Sequence, residues 1–187
     1  MRKLKLQVQM TVDGYIAGPN GELNFALREW DDELKKYVGE ITDPVDCIVL
    51  GRKLAQGFIP HWASHPEQEG ASKFNTTHKV VFTKTLETSE WPDTVLAKGD
   101  LVEEITRLKE QDGQDIIAYG GATFVSALIK AGLIDEFHLF INPAAIGSGL
   151  QIFKEIDGMA TLKSLKLKKS TAFACGMVVL CYEPVRS

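Results

Sequence analysis

The chain has 187 residues, of which 44% are hydrophobic and 25% are charged, so it is long enough to bury a core and too apolar for a disordered protein. Its formal net charge of −4 excludes an overall attraction to nucleic acid or to an anionic membrane surface, and an anionic ligand would need a local basic site. Its apolar runs all fall short of the roughly 20 residues of a membrane span. Three cysteines without CxxC spacing favour a reduced, cytoplasmic compartment, and we expect a single domain over residues 1–187.

The first half of the chain predicts strands that alternate with helices. Residues 4–10, "LKLQVQM", alternate apolar and polar side chains, which is typical of a half-buried strand. A loop with three glycines and a proline follows over residues 13–22. Residues 28–41 place apolar side chains at helical spacing behind an acidic first turn. "CIVLG" at 47–51 predicts a buried strand, and the polar stretch 56–77, with two prolines, predicts a mobile loop with a short helix.

The middle of the chain continues this alternation. "KVVFTK" (79–84) and "TVLAKG" (94–99) are typical of buried strands. Asp100 is suited to cap a helix over "LVEEITRLKEQ", which Gly113 would end. "DIIAYGG" predicts a further buried strand, and "ATFVSALIKAG" predicts a helix that Gly132 closes.

The last part of the chain predicts strands only. Residues 135–147, "DEFHLFINPAAIG", alternate like a strand, and residues 162–184 predict two strands joined by a tight turn at Cys175 and Gly176. Strands separated by helices and followed by a terminal hairpin indicate an α/β fold, with a mainly parallel twisted sheet and an antiparallel edge.

Three predicted strands end in residues suited to holding an anion. They run into Gly51-Arg52-Lys53, into Thr83-Lys84 and into Gly120-Gly121-Ala122-Thr123, and only the last end is expected to lead into a long helix. In open α/β sheets ligands bind beyond the carboxyl ends of the strands, where glycines let the backbone come close and a helix start offers free N–H groups. Several phosphates, as in a dinucleotide, would suit these ends.

Each of these signals also has an ordinary structural interpretation. A glycine pair before a helix can serve close strand–helix packing, and Arg52 and Lys84 can be solvated surface charges. The sequence contains neither G-x-G-x-x-G nor G-x-x-x-x-G-K-[ST], which argues against a Rossmann nucleotide site and against a P-loop.

Five segments together resemble the dihydrofolate-reductase-like superfamily. They are "MTVDGYIAG", "DCIVLGRKL", "KVVFTKTL", "DIIAYGGATFVSALIKAGLIDEFHLFINPAAIGSGLQIF" and "GMVVLCYEP". The resemblance is closest to the reductase domain of the bifunctional riboflavin-pathway deaminase–reductase and to its stand-alone relatives, and it extends from about residue 3 to residue 184. It implies a three-layer fold with about eight strands, NADPH as hydride donor and, commonly, a homodimer.

The resemblance also assigns roles to the strand ends. It implies that Gly120, Gly121, Ala122 and Thr123 face the pyrophosphate and nicotinamide side of NADPH. Further cofactor contacts would come from Gly51, Arg52 and Lys53, which begin a short helix beside the phosphates, from Thr83 and Lys84 near the adenosine 2′-phosphate, and from Ala17 at the nicotinamide carboxamide.

The chain departs from the family pattern in two residues and in one missing half. Leu54 stands where a threonine often follows "GRK", and Tyr119 stands where riboflavin-pathway reductases usually carry an acidic residue that helps to hold substrate. No H-x-E followed by P-C-x-x-C is present, so zinc deaminase chemistry is not expected.

Two acidic residues are candidates for the chemistry itself. Asp13, at the end of the first strand, could hold substrate or relay a proton, although it could equally shape the turn before Gly14. Asp32 lies early in the helix that carries the acidic residue of dihydrofolate reductases, although acids at a helix start also serve capping. The register stays open among Asp31, Asp32 and Glu33.

Aromatic residues could form the wall of a pocket for a flat heterocycle. Tyr15, Phe58 and Trp62 are the candidates, with core packing as the alternative. His61 and His65 are four residues apart, but they are flanked by prolines and lack an evident third ligand, so we expect loop histidines and no metal site.

These observations lead to one functional hypothesis with two alternatives. The chain is expected to be an NADPH-dependent reductase of a small heterocyclic substrate, nominally of the 5-amino-6-(5-phosphoribosylamino)uracil reductase type of riboflavin biosynthesis. Reduction of dihydrofolate and a non-catalytic nucleotide-binding module are the alternatives. The expected partners are a small-molecule substrate and a second copy of the chain, without nucleic acid or membrane.

Overall fold

A computed structural model describes residues 1–26, 29–156 and 164–185. Its strands are β1 (Leu4–Thr11), β2 (Val45–Gly51), β3 (His78–Phe82), β4 (Thr94–Ala97), β5 (Asp115–Tyr119), β6 (Glu136–Asn142), β7 (Leu165–Ala172) and β8 (Val178–Pro184). Its helices are α1 (Asp32–Thr42), α2 (Arg52–Ser64), α3 (Ala71–Thr76), α4 (Leu101–Glu110) and α5 (Ala122–Lys130), with a short 3-10 helix at Asn24–Ala26.

All eight strands join one sheet in the order β4-β3-β2-β5-β1-β6-β8-β7. Strands β1 to β6 pair in parallel, whereas β8 pairs antiparallel with β6 and with β7. The chain turns between β7 and β8 at Gly176, whose φ of 90° is a conformation that glycine adopts without strain. The predicted α/β fold, with its terminal antiparallel hairpin, is confirmed.

The two faces of the sheet carry two separate helix layers. On one face, α4 and α5 bury Ile105, Val125 and Leu128 against the apolar side chains of β1, β2, β5 and β6. On the other face, α1, α2 and α3 bury Leu34 and Ala55 among residues of β2, β5, β6 and β8. Each layer covers apolar area that water would otherwise contact, and this burial is the main favourable contribution to folding.

The alternating pattern of β1 was expected to mark a half-buried strand, and this expectation is wrong. β1 lies between β5 and β6 inside the sheet, with Lys5 6% and Thr11 1% exposed. The ammonium of Lys5 donates to the carbonyl of Ile41 in α1, so the polar side of β1 faces the layer of α1, α2 and α3. The polar row is therefore enclosed between the sheet and its helices instead of facing bulk water.

The stretch 56–77 was expected to be a mobile loop with a short helix, whereas most of it is helical. α2 has 13 residues and contains Pro60, and α3 follows it after a short turn. Buried Ala55 and Ile59 anchor α2 on the sheet, and this packing compensates for the hydrogen bond that Pro60 cannot donate. α2 is also longer than the nine-residue α5, so the long helix predicted only after the glycine pair has a counterpart after β2.

The expectation that His61 and His65 are both loop histidines is wrong for His61. His61 lies within α2 and His65 directly follows the helix, with their ring centroids 4.5 Å apart. Nδ1 of His65 lies 2.8 Å from the carbonyl oxygen of His61.

Two predicted boundaries lie outside the described residues. They are the start of the first helix at Arg28 and the start of the 162–184 hairpin.

The capping prediction at Asp100 is confirmed and gives a stability test. Its carboxylate accepts hydrogen bonds from the amides of Val102 and Glu103 at the start of α4. We expect Asp100→Ala to lower the free energy of unfolding by about 1 kcal/mol, because two amide donors lose their acceptor. Urea denaturation measures the loss. Asp112→Ala, at another exposed aspartate, is the control, and an equal loss in both variants would contradict the capping role.

Two further findings concern membrane-spanning helices and disulfide bonds. Among the described residues, no helix is both long enough and apolar enough to cross a membrane. Cys47, Cys175 and Cys181 are all free thiols.

Candidate functional site

The sheet brings the three predicted strand ends side by side. β3, β2 and β5 are consecutive neighbours and run in parallel, so their carboxyl ends lie at one edge. The residues that follow these ends are Thr83 and Lys84, Arg52 and Lys53, and Gly120 and Gly121. The arrangement matches the rule that ligands of open α/β sheets bind beyond the carboxyl ends of the strands.

The backbone conformation at positions 120 and 121 requires glycine. Gly120 has a φ of 36° and Gly121 a φ of 81°, which other residues adopt only with strain. A Cβ on Gly121 would lie 3.6 Å from Cβ of Leu54, an ordinary contact, so packing alone does not require a glycine there. Gly121 precedes α5 and provides no side-chain cap, which leaves the first-turn amides of α5 available for an external acceptor.

Gly51 has a different reason for being a glycine. A Cβ on it would lie 2.8 Å from Cβ of Phe124, closer than real contacts allow, so α5 packs directly on the end of β2. Gly51 also precedes α2 without a side-chain cap, whereas Asp31 and Asp100 cap α1 and α4. The helices that start at the glycine-bearing strand ends therefore both offer uncapped amides at the same edge of the sheet.

The cationic side chains at this edge retain donor capacity. Nη1 of Arg52 donates to Oε1 of Gln56 one turn along α2, and Lys53 is exposed. Nζ of Lys84 donates to the carbonyls of Lys98 and Gly99 at 2.8 and 2.9 Å, which leaves one of its three N–H protons for another acceptor.

Thr83 is buried beside Lys84. Its hydroxyl oxygen accepts hydrogen bonds from the amides of Thr85 and Leu86, and within the described part of the chain no group accepts the hydroxyl proton, so it is available to donate. Thr83 and Lys84 thus present an O–H donor and an ammonium next to each other at the end of β3.

The loop after β1 is joined to the loop after β6. The amides of Val12 and Ile16 donate to the carbonyls of Ala144 and Leu150, and the amide of Leu150 donates to the carbonyl of Ala17. Ala17 is buried and pairs with Leu150 in an isolated antiparallel bridge. Gly149 permits this pairing, because a Cβ there would collide with the carbonyl oxygen of Ala17.

Asp13 holds the same two loops together. Its carboxylate accepts from the amides of Gly147 at 2.7 Å and Ile146 at 3.1 Å. The side-chain hydrogen bond from Thr11, followed by the Gly147 amide, lowers the pKa of Asp13, so the carboxylate stays ionised near neutral pH. Asp13 in this state is an acceptor and a negative charge, and it carries no proton to donate.

The structure distinguishes the acids at the start of α1. The side chain of Asp32 is fully exposed, with Lys35 at 3.6 Å. Asp31, by contrast, accepts from the amide of Leu34 and from the amide of Cys175, both at 2.8 Å, and these bonds lower its pKa. Asp31 is therefore the acid that faces the protein, because it caps the helix and ties it to the turn between β7 and β8.

Two of the three predicted aromatic residues lie in one cluster. Phe58 and Trp62 of α2 have ring centroids 5.8 Å apart, and Phe58 lies 5.1 Å from Phe74 and 5.7 Å from Tyr119. Tyr15 lies instead at the joined loops, where its hydroxyl donates to the carbonyl of Gly147. Burial raises the pKa of Tyr119, so its phenol is neutral and can donate a hydrogen bond.

Gln7 and Gln9 were not predicted as site residues, and the structure places them on the enclosed polar side of β1. Gln7 is in register with Tyr119, and its Oε1 is buried without a hydrogen bond in the described structure. Oε1 of Gln9 accepts from Nδ2 of Asn142 at 3.4 Å. The signal in the sequence was the glutamine alternation, because a strand that lies inside a parallel sheet is normally apolar on both faces.

Comparisons with known proteins agree with this fold. YyaP, an uncharacterised protein of Bacillus subtilis, is 30% identical over 185 residues, which are 97% of this chain and 94% of that protein. The structure is similar to a diaminohydroxyphosphoribosylaminopyrimidine deaminase/5-amino-6-(5-phosphoribosylamino)uracil reductase of Thermotoga maritima. The TM-score is 0.72 at 19% identity, over 98% of this chain and 57% of that one.

A second solved structure has a similar fold over almost the whole length of both chains. Dihydrofolate reductase from Enterococcus faecalis matches with a TM-score of 0.63 at 17% identity, over 98% of this chain and 97% of that one. The sequence profile described as the RibD C-terminal domain matches residues 2–179. The chain, whose fold is dihydrofolate-reductase-like, therefore belongs to the RibD C-terminal domain family.

Proposed function

We propose that the protein is an NADPH-dependent reductase of a small heterocyclic substrate, nominally of the 5-amino-6-(5-phosphoribosylamino)uracil type used in riboflavin biosynthesis. The observation that carries the proposal is the row of three neighbouring strand ends, which combines two uncapped helix starts with Arg52 and Lys84. Membership of the RibD C-terminal domain family supports it.

The residues at the edge fit a phosphorylated dinucleotide. The amides that follow Gly121 would bind the pyrophosphate, since a helix N-terminus favours negative charge. Arg52 would pair with the same phosphates, while the free protons of Thr83 and Lys84 would bind the adenosine 2′-phosphate. Ala17 would contact the nicotinamide carboxamide.

The remaining residues would position the substrate. NADPH supplies a hydride when it is bound, and the protein has to orient the acceptor and exclude water. Gln7 of β1 and the neutral Tyr119 of β5 are in register, and Phe58 contacts Tyr119, so amide, hydroxyl and aromatic groups meet at one place. Such a set suits a flat heterocycle that carries hydrogen-bond donors and acceptors.

A substrate screen tests the proposal directly. Purified protein is mixed with NADPH and, in separate reactions, with the ribosylaminopyrimidine, with dihydrofolate and with simple aldehydes, and absorbance of the reduced nicotinamide is followed. Oxidation with the pyrimidine supports the assignment. Oxidation with dihydrofolate alone would replace the substrate, and NADPH binding without any oxidation would show a nucleotide-binding module instead of a reductase.

The preference for NADPH over NADH tests the two cations. We expect Arg52→Ala and Lys84→Ala each to weaken NADPH binding by about tenfold, because a charge-assisted hydrogen bond contributes about 1.5 kcal/mol. Lys84→Ala should leave NADH binding nearly unchanged. Isothermal calorimetry with both nucleotides measures this. Lys98→Ala, at the end of β4, is the matched control, and an unaltered NADPH preference in Lys84→Ala would refute the 2′-phosphate contact.

A homodimer, which the family resemblance implies, is part of the proposal. Size-exclusion chromatography with light scattering measures the mass in solution, and a mass of 20.7 kDa would show a monomer.

A further inference from the structure

Three metal-ligating side chains meet on the pair of strands β6 and β8. Glu136 and His138 are two residues apart on β6 and therefore project from the same face of the sheet. Cys181 of β8 is the direct cross-strand partner of His138, which places both side chains on that face. The candidate ligand atoms of these residues all lie within 4.8 Å of one another.

The cluster is enclosed, and its histidine is oriented from both sides. His138 is 5% and Cys181 8% exposed. Nε2 of His138 lies 2.7 Å from Oε1 of Glu136, and Nδ1 lies 3.2 Å from the hydroxyl of Tyr37 in α1.

We propose that Glu136, His138 and Cys181 form a zinc site that links β6 to β8. One imidazole nitrogen, one thiolate and one carboxylate make a ligand set that zinc accepts, and a tetrahedral ion keeps a fourth position for water. The thiolate and the carboxylate offset the charge of the ion, and the ammonium of Lys3, 3.5 Å from Oε2 of Glu136, adds one positive charge beside them. Tyr37 supports the site from behind, because a metal-bound histidine usually donates its other N–H to an acceptor.

The proton balance of binding follows from these contacts. Without metal, Nε2–H donates to Glu136, which as a carboxylate can only accept. When zinc takes the Nε2 lone pair, the imidazole proton moves to Nδ1 and is donated to the hydroxyl oxygen of Tyr37. The thiol of Cys181 loses its proton to solvent, and one proton is released for each zinc ion bound.

The zinc site is separate from the proposed cofactor site. Glu136 lies at the amino end of β6, whereas NADPH is proposed to bind at the carboxyl ends of the parallel strands. Its expected effect is to tie the antiparallel hairpin of β7 and β8 to the parallel part of the sheet. Zinc binding should therefore raise thermal stability whether or not the protein is a reductase.

Cobalt binding tests the site with a spectroscopic readout. Cys175→Ser, which removes the less buried thiol, is the background, and Co²⁺ is added as the probe. We expect one equivalent of Co²⁺ to bind with sulfur-to-cobalt charge-transfer absorption, and Zn²⁺ to displace it. Cys181→Ser in this background should abolish the absorption, whereas Cys47→Ser, at a buried thiol on the other face of the sheet, should retain it.

The carboxylate is tested by a second variant that keeps the shape of the side chain. Glu136→Gln should weaken Co²⁺ binding by about tenfold or more, and circular dichroism confirms that each variant is folded. In the Cys175→Ser background, Zn²⁺ should raise the thermal midpoint, and it should not do so after Cys181→Ser. Absence of the absorption from the background protein, its persistence in folded Cys181→Ser, or unchanged affinity in Glu136→Gln would overturn the proposed site.

Discussion

Replacement of Gly121 by valine is expected to weaken NADPH binding by about 100-fold or more, which corresponds to about 3 kcal/mol. Gly121 has a φ of 81° directly before α5, and its backbone faces the edge where the pyrophosphate is proposed to bind. A branched side chain would shift this turn toward negative φ and move the first amides of α5, and it would also occupy space beside the phosphates. Calorimetric titration with NADPH measures the loss.

A matched control separates binding from folding. Gly132 lies just beyond the other end of the same helix with a φ of 68°, and a Cβ there meets no atom within 4 Å. Gly132→Val therefore carries a comparable backbone strain of about 1–3 kcal/mol, and it lies away from the strand ends where NADPH is proposed to bind. We expect the two variants to lose similar thermal stability and only Gly121→Val to lose NADPH. Tight NADPH binding by folded Gly121→Val would refute the placement of the pyrophosphate.

Truncation of Phe140 to alanine is expected to reduce the free energy of unfolding by about 3–5 kcal/mol. Phe140 is 0% exposed in β6, and its ring lies 6.2 Å from that of Trp30 and 6.1 Å from that of Tyr37. Its removal leaves a cavity between α1 and the sheet that neighbouring rings cannot fill without leaving their rotamers. A loss of this size is a large fraction of the stability of an ordinary domain.

Urea denaturation of three variants tests this cavity argument. Leu167→Ala, at a 49% exposed leucine of β7, should change the free energy of unfolding by only about 0.5 kcal/mol. Phe140→Leu should recover part of the loss, because it restores most of the buried volume. If Phe140→Ala is no less stable than Leu167→Ala, the packing of α1 on β6 differs from the one described.

The residues proposed to bind the cofactor and the candidate acids could be predicted from the sequence to different degrees. The placement of Thr83, Lys84 and the glycine pair at strand ends could be predicted, because each directly follows an apolar strand, which is a local pattern. Asp31 and Asp32 are adjacent in sequence and equally suited to a helix start, so only the docking of α1 beside the turn at Cys175 distinguishes them.

The sequence by itself determined the kind and the order of most elements, because strand and helix periodicity, glycine turns and caps are properties of neighbouring residues. Only the tertiary structure decided that β3, β2 and β5 are neighbours and that the glutamines of β1 face inward. It likewise decided that the residues on both sides of Pro60 form a helix and that Cys181 is the cross-strand partner of His138. These outcomes depend on which apolar faces bury one another across the whole chain, and that free energy is not encoded in any local segment.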